Sequence, residues 1–332
     1  MKNFFFIFIL LLLLGSCRQH PSRADISAIH VDLMFKSLDD DLFAAKGNLE
    51  MKLPDLTKKY ANFLPVFAFQ MIGIGRPDQP EYVSLLKSFV QDTLIVSLKE
   101  KVDRTIRKDN LKNGLETAFR YFLFYFPAEP IPEIYTCISG FHQSVIYTDS
   151  LIGISLDNYL GADCDYYPRL GIPRYKAKNM HPGKIIPDVV YAWGMQRFPL
   201  RESSPHLIDR MIYEGKLLFF MDALLPDTPD TLKIGYTQKQ LQFCQDREGA
   251  MWTYLAEYKL LFSTERMDVR RYVDDAPYTS GFTPDSPGRT GIWLGWQIVK
   301  SYMEQNPDIS LSQLMVNDDY QAILRQSGYQ PD

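Results

Sequence analysis

Residues 206 to 225 have the sequence HLIDRMIYEGKLLFFMDALL, and the spacing of their apolar side chains predicts a single helix. One face of this helix carries five apolar side chains and one carboxylate, in the order Leu207, Met211, Glu214, Leu218, Met221 and Leu225. An apolar stripe at helical spacing indicates a helix that packs against a core. Burying a carboxylate alone is costly, so Glu214 requires a partner. Arg210, one turn earlier, offers a salt bridge, although this order of charges is the less favourable one along a helix.

The first seventeen residues, MKNFFFIFILLLLLGSC, predict a lipoprotein signal peptide. The apolar run from Phe4 to Leu14 is too short to span a bilayer, which needs roughly 20 residues, but it suits the core of a signal peptide. Leu14-Gly15-Ser16-Cys17 has the form of a lipobox, in which Cys17 receives acyl chains on its thiol and new amine. The alternative is an ordinary signal peptide that contains a cysteine.

We therefore expect residues 1–16 to be removed, residues 17–24 to form a lipidated tether, and residues 25–332 to form a single globular domain. Two or more acyl chains anchor a protein firmly to a membrane. No aspartate and no acidic cluster follows Cys17, which favours the outer membrane, on the side facing the periplasm. A net charge of −4 gives no reason to expect a nucleic-acid partner. The covalent lipid on Cys17 is the single cofactor expected.

The elements predicted along the chain indicate an α+β fold that is mainly helical. AIHVDLMF, residues 28 to 35, alternates as a strand does, and helices are expected over about 53 to 73, 79 to 105 and 109 to 125. PEIYTCISG, SVIYT and LIGISLDNYL are short and rich in β-branched and aromatic residues, which predicts antiparallel strands. Helix returns at Pro187, placed at a first helical position. Thr237 with Gln240, and Ser310 with Gln313, predict capping boxes. We expect helices around a small antiparallel sheet.

Common catalytic motifs are missing from the sequence, and the remaining candidates for chemistry are weak. No two histidines are spaced as in H-E-x-x-H, and neither a P-loop nor G-x-S-x-G occurs. Asp157, Asp163 and Asp165 are weak calcium candidates because oxygen ligands on a loop suit that ion, but such acidic loops are more often simply solvated.

A glycine-rich stretch later in the chain gives a candidate anion contact. Gly288, Gly291 and Gly295 permit close backbone approach, and Arg289 stands where a helix start attracts anions. Arg289 could instead pair with a nearby aspartate.

Cys137, Cys164 and Cys244 are the cysteines that follow Cys17. The periplasm permits disulfides, but three thiols cannot all pair, and the sequence leaves open whether two of them do. No C-x-x-C pair signals a redox or zinc site.

Several long stretches of the sequence are distinctive when taken together: the lipobox, YTCISGF, ISLDNYLGADCDYYP, RMIYEGKLLFFMDALLPDTPD, KIGYTQKQLQFC and SPGRTGIWLGWQIVKSYM. In combination they resemble the gliding-motility lipoprotein GldB family of the Bacteroidota. The resemblance covers nearly the whole mature chain. It implies an outer-membrane-associated lipoprotein needed for gliding, often close to the type IX secretion machinery. Relatives also occur in species that do not glide.

A fainter similarity concerns predicted zinc proteases of the zincin type, in which a glutamate is the third ligand. In those proteins a first helix bears H-E-x-x-H and a second bears Glu, often followed by Gly. Here Pro187, Asp188 and Tyr191 stand where His, Glu and His belong, while Glu214 matches the third ligand. Because neither proline nor tyrosine replaces an imidazole on zinc, this similarity implies a degenerate zincin-like fold, a pseudoenzyme. Glu214 is then the remnant of a site, held by hydrogen bonds from neighbours such as Tyr191 or Arg210.

Three functions compete at this point. The leading interpretation is a non-catalytic lipoprotein that supports gliding motility, type IX secretion or envelope assembly through protein contacts. The first alternative is a divergent zinc-dependent peptidase that takes ligands such as His181 or His206. The second is a periplasmic binder of glycans or peptides that uses aromatic residues around Tyr166, Tyr167 and Tyr175, although these side chains could equally belong to the core.

Overall fold

The structure is a computed structural model that describes residues 24–201 and 205–331. The signal peptide, the lipobox and all but the last residue of the expected tether lie outside the described residues. The fold is α+β and mainly helical, with one four-stranded mixed sheet, as the sequence predicts in class. The strands are β1 (Phe35–Ser37), β2 (Glu133–Cys137), β3 (Val145–Tyr147) and β4 (Leu151–Ser155).

Helices come before, between and after the strands. Those between β1 and β2 are α1 (Leu38–Ala44), α2 (Leu49–Lys59), α3 (Leu64–Val66, continuing as a π-helical turn Phe67–Met71), α4 (Tyr82–Gln91), α5 (Thr93–Thr105) and α6 (Lys108–Tyr125). After β4 come a 3-10 turn (Leu156–Tyr159), α7 (Tyr166–Arg169), α8 (Arg174–Ala177), a second 3-10 turn (Pro182–Lys184), α9 (Ile185–Arg197) and α10 (Leu207–Leu224). The chain then forms α11 (Asp230–Ile234), α12 (Gln238–Asp246), α13 (Glu248–Glu257), α14 (Arg266–Val273), α15 (Thr290–Gln305), α16 (Leu311–Val316) and α17 (Tyr320–Ser327).

The sheet has the order β1-β2-β4-β3, and its strand directions correct the antiparallel prediction. β1 pairs with β2 in parallel, and so does β2 with β4, whereas β3 and β4 are antiparallel. β3 and β4 form a hairpin, in which the backbone N–H of Thr148 donates to the Leu151 carbonyl at 2.9 Å. However, β2 does not pair with β3, and the chain passes through β3 to bring β4 alongside β2 in parallel. Short strands separated by turns are typical of an antiparallel meander, but here the order of the strands in the sheet differs from their order in the sequence.

The sheet lies between two hydrophobic clusters. On one face Tyr135, Cys137 and Leu151 pack with buried residues of α1 to α4. On the other face Ile134, Ile152 and Ile154 belong to the larger cluster, which includes α5, α6, α9, α10 and α15. Because both faces are covered, β2 and β4 are buried along almost their whole length instead of alternating between buried and exposed residues.

Several predicted boundaries differ from the structure. The strand expected over 28 to 35 begins at Phe35, because the register with β2 starts there, at Ile134. The helix expected over 79 to 105 is broken at Asp92, whose carboxylate accepts the backbone N–H groups of Leu94 and Ile95 and so caps α5. The helix expected over 53 to 73 is also interrupted, between Lys59 and Leu64.

The helices from α9 onward agree better with the sequence. α9 starts two residues before Pro187, which therefore lies within the first turn instead of at its first position. Both predicted capping boxes are confirmed, with Gln240 N donating to Thr237 and Gln313 N donating to Ser310, each at 3.2 Å.

α10 is the central helix of the larger cluster. Fourteen of its eighteen residues are buried, on every side of the helix and not along one stripe. The side chains of the predicted stripe are all inside, but so are Ile212, Tyr213 and Lys216. A helix that is covered all round must place each of its polar groups against a partner.

Candidate functional site

Glu214 lies on α10 with 5 % of its surface exposed. The hydroxyl of Tyr191, on α9, donates a hydrogen bond to Glu214 Oε2. Nη2 of Arg210 lies 3.5 Å from Oε1 and forms the salt bridge expected from the sequence. Burial raises the pKa of Glu214, while the Tyr191 hydrogen bond and the charges of Arg210 and Arg289 act in the opposite direction. The carboxyl therefore has partners for both oxygens.

Tyr191 is the hydrogen-bond donor in this pair. Burial, together with the neighbouring Glu214 charge, raises the pKa of the Tyr191 hydroxyl well above its ordinary value. A hydroxyl that keeps its proton can satisfy a buried carboxylate without adding charge to the site.

Arg289 occupies the residue before α15 with a left-handed backbone, at φ 59°. Its guanidinium donates to the carbonyl oxygen of Ile234, at the end of α11, and its Nε lies 3.1 Å from Asp275 Oδ1. Of the two alternatives that the sequence offered for Arg289, an anion contact or an aspartate partner, the structure shows the aspartate partner. Arg289 also favours the ionised form of Glu214 through its charge, without a hydrogen bond between them in the described chain.

Asp188, the remaining candidate, belongs to a different group. Its carboxylate lies 2.9 Å from Lys184 Nζ and accepts a hydrogen bond from Tyr159 at 3.0 Å. Among the described residues, no hydrogen bond or ion pair joins it to Glu214. The structure therefore brings Tyr191 and Arg210 to Glu214, with Arg289 nearby, and places Asp188 elsewhere.

Glycines in α15 and just before it lie close to the backbone of neighbouring segments, including α10. A Cβ atom on Gly295 would lie 1.8 Å from the Met211 carbonyl oxygen, and one on Gly291 would lie 2.9 Å from the carbonyl oxygen of Tyr272. A Cβ on Gly288 would lie 2.3 Å from the carbonyl oxygen of Ala276. The close approach predicted for these three glycines is confirmed.

The residues around Glu214 do not fit a zinc site of the zincin kind. Such a site needs neutral imidazoles beside the carboxylate, but α9 contains no histidine. His206 precedes α10, eight residues before Glu214, which corresponds to a rise of about 12 Å along a helix. Its Nδ1 lies 2.9 Å from Asp209 and caps the helix instead. His181 lies near Lys184 and Asp188, and burial followed by the Lys184 charge lowers its pKa.

The three calcium candidates do not come together. Asp157 is fully buried and accepts the backbone N–H groups of Ser139 and Phe141 at 3.1 and 2.6 Å, as well as the Ser155 hydroxyl at 2.6 Å. Asp165 is exposed and pairs with Lys101 at 3.0 Å. Asp163 is also exposed. Two of the three carboxylates are thus exposed, as expected of a solvated acidic loop, but Asp157 turns inward because the backbone at residues 139–141 supplies donors.

Cys137, Cys164 and Cys244 are buried and free. Tyr167 is fully buried, and Tyr166 and Tyr175 are partly buried. The hydroxyl of Tyr166 lies 2.8 Å from Ser97 Oγ, and the cations of Lys101 and Arg169 lie over its ring. These aromatic residues therefore pack mainly into the fold.

Sequence reasoning missed several buried charges. Lys216 is 2 % exposed, and its Nζ donates to the Asn317 carbonyl at 2.7 Å. Asp39 is 1 % exposed and lies 2.5 Å from Lys108 Nζ. Lys216 is followed directly by the apolar residues LLFF, which could have signalled its burial. The apolar stripe predicted from the sequence covers one face of α10, whereas the helix is covered on every side.

A comparison with protein families matches residues 19–331 to the gliding motility protein GldB family. The chain belongs to this family. The match spans nearly the whole sequence, so membership in the GldB family agrees with the resemblance carried by its long stretches. The family description names gliding motility and no catalysed reaction. No curated protein and no solved structure gives a significant match. In the part of this GldB-family chain that the structure describes, no helix has the length and apolar character needed to cross a bilayer.

Proposed function

We propose that this GldB-family protein is an outer-membrane lipoprotein, anchored through Cys17 and facing the periplasm, that supports motility, secretion or envelope assembly through protein contacts. The observation that carries the proposal is the family match over residues 19–331. The signal peptide and lipobox pattern of residues 1–17 supports the anchor.

The proposed role is non-catalytic, and the surroundings of Glu214 support this. Its two oxygens are engaged by Tyr191 and Arg210, and Arg289 adds a second nearby positive charge. Guanidinium groups hold an ionised carboxylate in place but repel a metal cation. On this proposal Glu214 ties α9 to α10 and keeps the domain in shape.

The anchor is tested by substituting its acyl acceptor. Cys17→Ala should release the full chain from membranes into the soluble periplasmic fraction, because the lipid is its attachment. Cys164→Ala, which changes another thiol, should leave the protein in the membrane fraction. A Cys17→Ala protein that stays membrane-bound after a salt wash would refute the lipoprotein assignment.

The non-catalytic role is tested by metal content and complementation. Elemental analysis of the purified full chain, after dialysis against dilute chelator, should find far less than one equivalent of zinc. Zinc near one equivalent that is lost in Glu214→Ala would overturn the proposal. In a gliding host that lacks its own GldB-family gene but is complemented by the wild-type chain, Glu214→Gln should restore motility if it accumulates to wild-type levels. A stable Glu214→Gln protein that fails to restore motility would also contradict the proposal.

In-cell crosslinking tests whether the protein acts through contacts. Wild-type chain should yield discrete crosslinked species in the envelope, which mass spectrometry can identify. A chain that restores motility while yielding no crosslinked protein with several reagents would argue against this mode of action.

A further inference from the structure

The loop between α7 and α8 presents an apolar side chain to solvent. Leu170 follows α7 directly, and 51 % of its surface is exposed. Its backbone N–H donates to the Tyr166 carbonyl at 3.0 Å, and the N–H of Ile172 donates to the Tyr167 carbonyl at 2.9 Å. Gly171, between them, has φ 69° and supplies the left-handed conformation of the turn. The turn is therefore fixed by its own hydrogen bonds while the leucine remains exposed.

Cations flank this leucine on both sides. Arg169 precedes it, Arg174 and Lys176 follow at the start of α8, and all three are exposed. No aspartate or glutamate occurs between residues 166 and 187. In the described part of the chain, neither Arg174 nor Lys176 forms an ion pair. Both are therefore available to an anionic partner.

Two carboxylates lie just before this segment, and one of them is already paired. Asp165 lies 3.0 Å from Lys101 Nζ, on α5, and 3.8 Å from Arg169 Nη2. Asp163 is exposed. The two arginines and two lysines of this region thus outnumber its two carboxylates, and the region carries a net positive charge.

An aromatic ring connects α5 to α7 beside these charges. Lys101 Nζ and the Arg169 guanidinium carbon lie 5.4 and 5.9 Å from the centroid of the partly buried Tyr166 ring. Glu100, next to Lys101, pairs with Arg104 at 3.6 Å, so these two residues together add no net charge. Aromatic rings and long cationic side chains are favoured together where a protein meets a bilayer.

The α7–α8 surface is formed by Tyr166, Arg169, Leu170, Arg174 and Lys176. We propose that this surface docks on a bilayer of anionic phospholipid. The cations contact the headgroup phosphates, and the exposed leucine enters the boundary between headgroups and acyl chains. The positive charge favours an anionic bilayer over a neutral one, and the leucine favours a bilayer over a soluble polyanion, which has no apolar layer to enter.

This docking rests on the proposed function in one respect, since a lipid on Cys17 keeps the domain close to the membrane. One acyl-anchored residue leaves the domain free to rotate above the bilayer. A second contact, at the α7–α8 surface, fixes which face of the domain lies on the lipid. Such a contact is screened by salt, whereas a lipid anchor withstands a salt wash.

The test places a nitrobenzoxadiazole fluorophore at the tip of the loop in the full lipidated chain. Leu170→Cys supplies the attachment point, because the three cysteines of the described chain are buried. The labelled protein is reconstituted at low salt into vesicles of phosphatidylcholine, with or without phosphatidylglycerol. Emission should increase and move to shorter wavelength on the anionic vesicles alone, and about 0.5 M sodium chloride should reverse this change. The same label on Met51→Cys, an exposed position on α2, should respond to neither vesicle.

Charge variants of the labelled protein test the role of the cations. Arg174→Gln combined with Lys176→Gln should lower the ratio of docked to undocked surface by roughly tenfold or more on anionic vesicles. Because both side chains are exposed and unpaired in the described chain, their replacement should leave the fold intact. Lys52→Gln combined with Lys58→Gln removes two exposed lysines of α2 and should respond as the parent does.

Equal emission on the two kinds of vesicle would overturn the proposal, as would an unchanged response after substitution of both Arg174 and Lys176. Soluble polyphosphate should leave the emission unshifted. An equal shift with polyphosphate would assign the surface to a soluble polyanion and would also refute docking on a bilayer. Loss of the lipid anchor would instead detach the chain from neutral vesicles, so failure of the anchor and failure of the docking are distinguishable.

Discussion

Gly215 of α10 lies against Gly295 of α15, backbone to backbone. A Cβ atom on Gly215 would come within 2.3 Å of the carbonyl carbon and oxygen of Gly295 and within 2.7 Å of the Trp296 nitrogen. No side-chain rotation can relieve such contacts, because every atom involved belongs to a helix backbone. The glycine that follows Glu214 thus has a packing role: it sets how closely the two central helices cross.

Gly215→Ala should therefore be strongly destabilising. Overpacking commonly costs up to about 3 kcal/mol, and we expect a loss of at least that size in the free energy of unfolding, measured by urea denaturation. Gly47→Ala is the matched control, since a Cβ there would meet nothing within 4 Å. If Gly215→Ala were as stable as Gly47→Ala, the helix crossing described here would be wrong.

Glu214→Gln should change how stability depends on pH. Because burial raises the pKa of Glu214 above its ordinary 4.5, the folded protein takes up this proton more readily than the unfolded chain does. The resulting stabilisation is fully present below pH 4.5 and is lost as pH rises through the folded value. The wild type should thus gain stability relative to Glu214→Gln as pH falls from 7 toward 4.5. Denaturation curves at several pH values measure this difference, and a constant difference would contradict the prediction.

Lys216 should give a pH dependence on the alkaline side. Burial lowers its pKa from 10.5 to about 8, so the unfolded chain binds this proton more tightly than the folded protein does. At 1.36 kcal/mol per pKa unit, the protonated lysine costs about 3 kcal/mol below pH 8. Stability should rise between pH 8 and 10.5 by that amount, relative to Lys216→Met, in which this contribution is absent.

Lys233→Met is the contrasting variant for this experiment. Lys233 is also buried, but its Nζ lies 2.7 Å from Asp222. Breaking a buried ion pair costs up to about 3–5 kcal/mol, and Asp222 would retain Lys300, at the longer distance of 3.9 Å, and the Trp296 N–H. Lys233→Met should therefore be clearly destabilised at pH 7, and Lys216→Met should not. Equal destabilisation of both variants would refute the distinction between Lys233, which pairs with a carboxylate, and Lys216, which donates to a backbone carbonyl.

Asp157→Ala should lower stability by about 3 kcal/mol or more. It removes the acceptor for the buried Ser139 N–H, the partly buried Phe141 N–H and the buried Ser155 hydroxyl. Each donor left unsatisfied in the interior costs about 1–3 kcal/mol. Phe141 has φ 68°, in the left-handed region, and its N–H is one of these donors. Asp163→Ala, at an exposed position of the same sequence stretch, should have little effect. Thermal denaturation compares the two, and equal melting temperatures would show that the Asp157 contacts carry no stability.

The sequence predicts helices better than it predicts sheet direction, for a physical reason. α10 was expected over 206 to 225 and is observed over Leu207–Leu224, because its apolar spacing is local information. Strand direction depends on which strands meet, and β1 comes from a distant part of the chain. The alternation of apolar and polar side chains along a strand does not show which other strands pair with it, or in which direction.

The same contrast applies to the candidate site. The need of Glu214 for a partner follows from the cost of burying a charge, so Arg210, one turn earlier, could be named in advance. Tyr191 was named through the similarity to a zincin helix, and the structure does bring its hydroxyl to Glu214. Asp188 was placed with them by the similarity to a zincin helix, but its carboxylate contacts Lys184 and Tyr159 instead.

The pairing of β1 with β2 also constrains the order in which the chain can fold. Phe35 is in register with Ile134, and all of α1 to α6 lie between them in the sequence. Closing so long a loop is entropically costly, and folds dominated by distant contacts form slowly. As the chain emerges N-terminus first, the edge strand nearest the N-terminus must wait, unpaired, until β2 has also emerged. Any factor that shields this segment during that delay acts on the step that pairs β1 with β2.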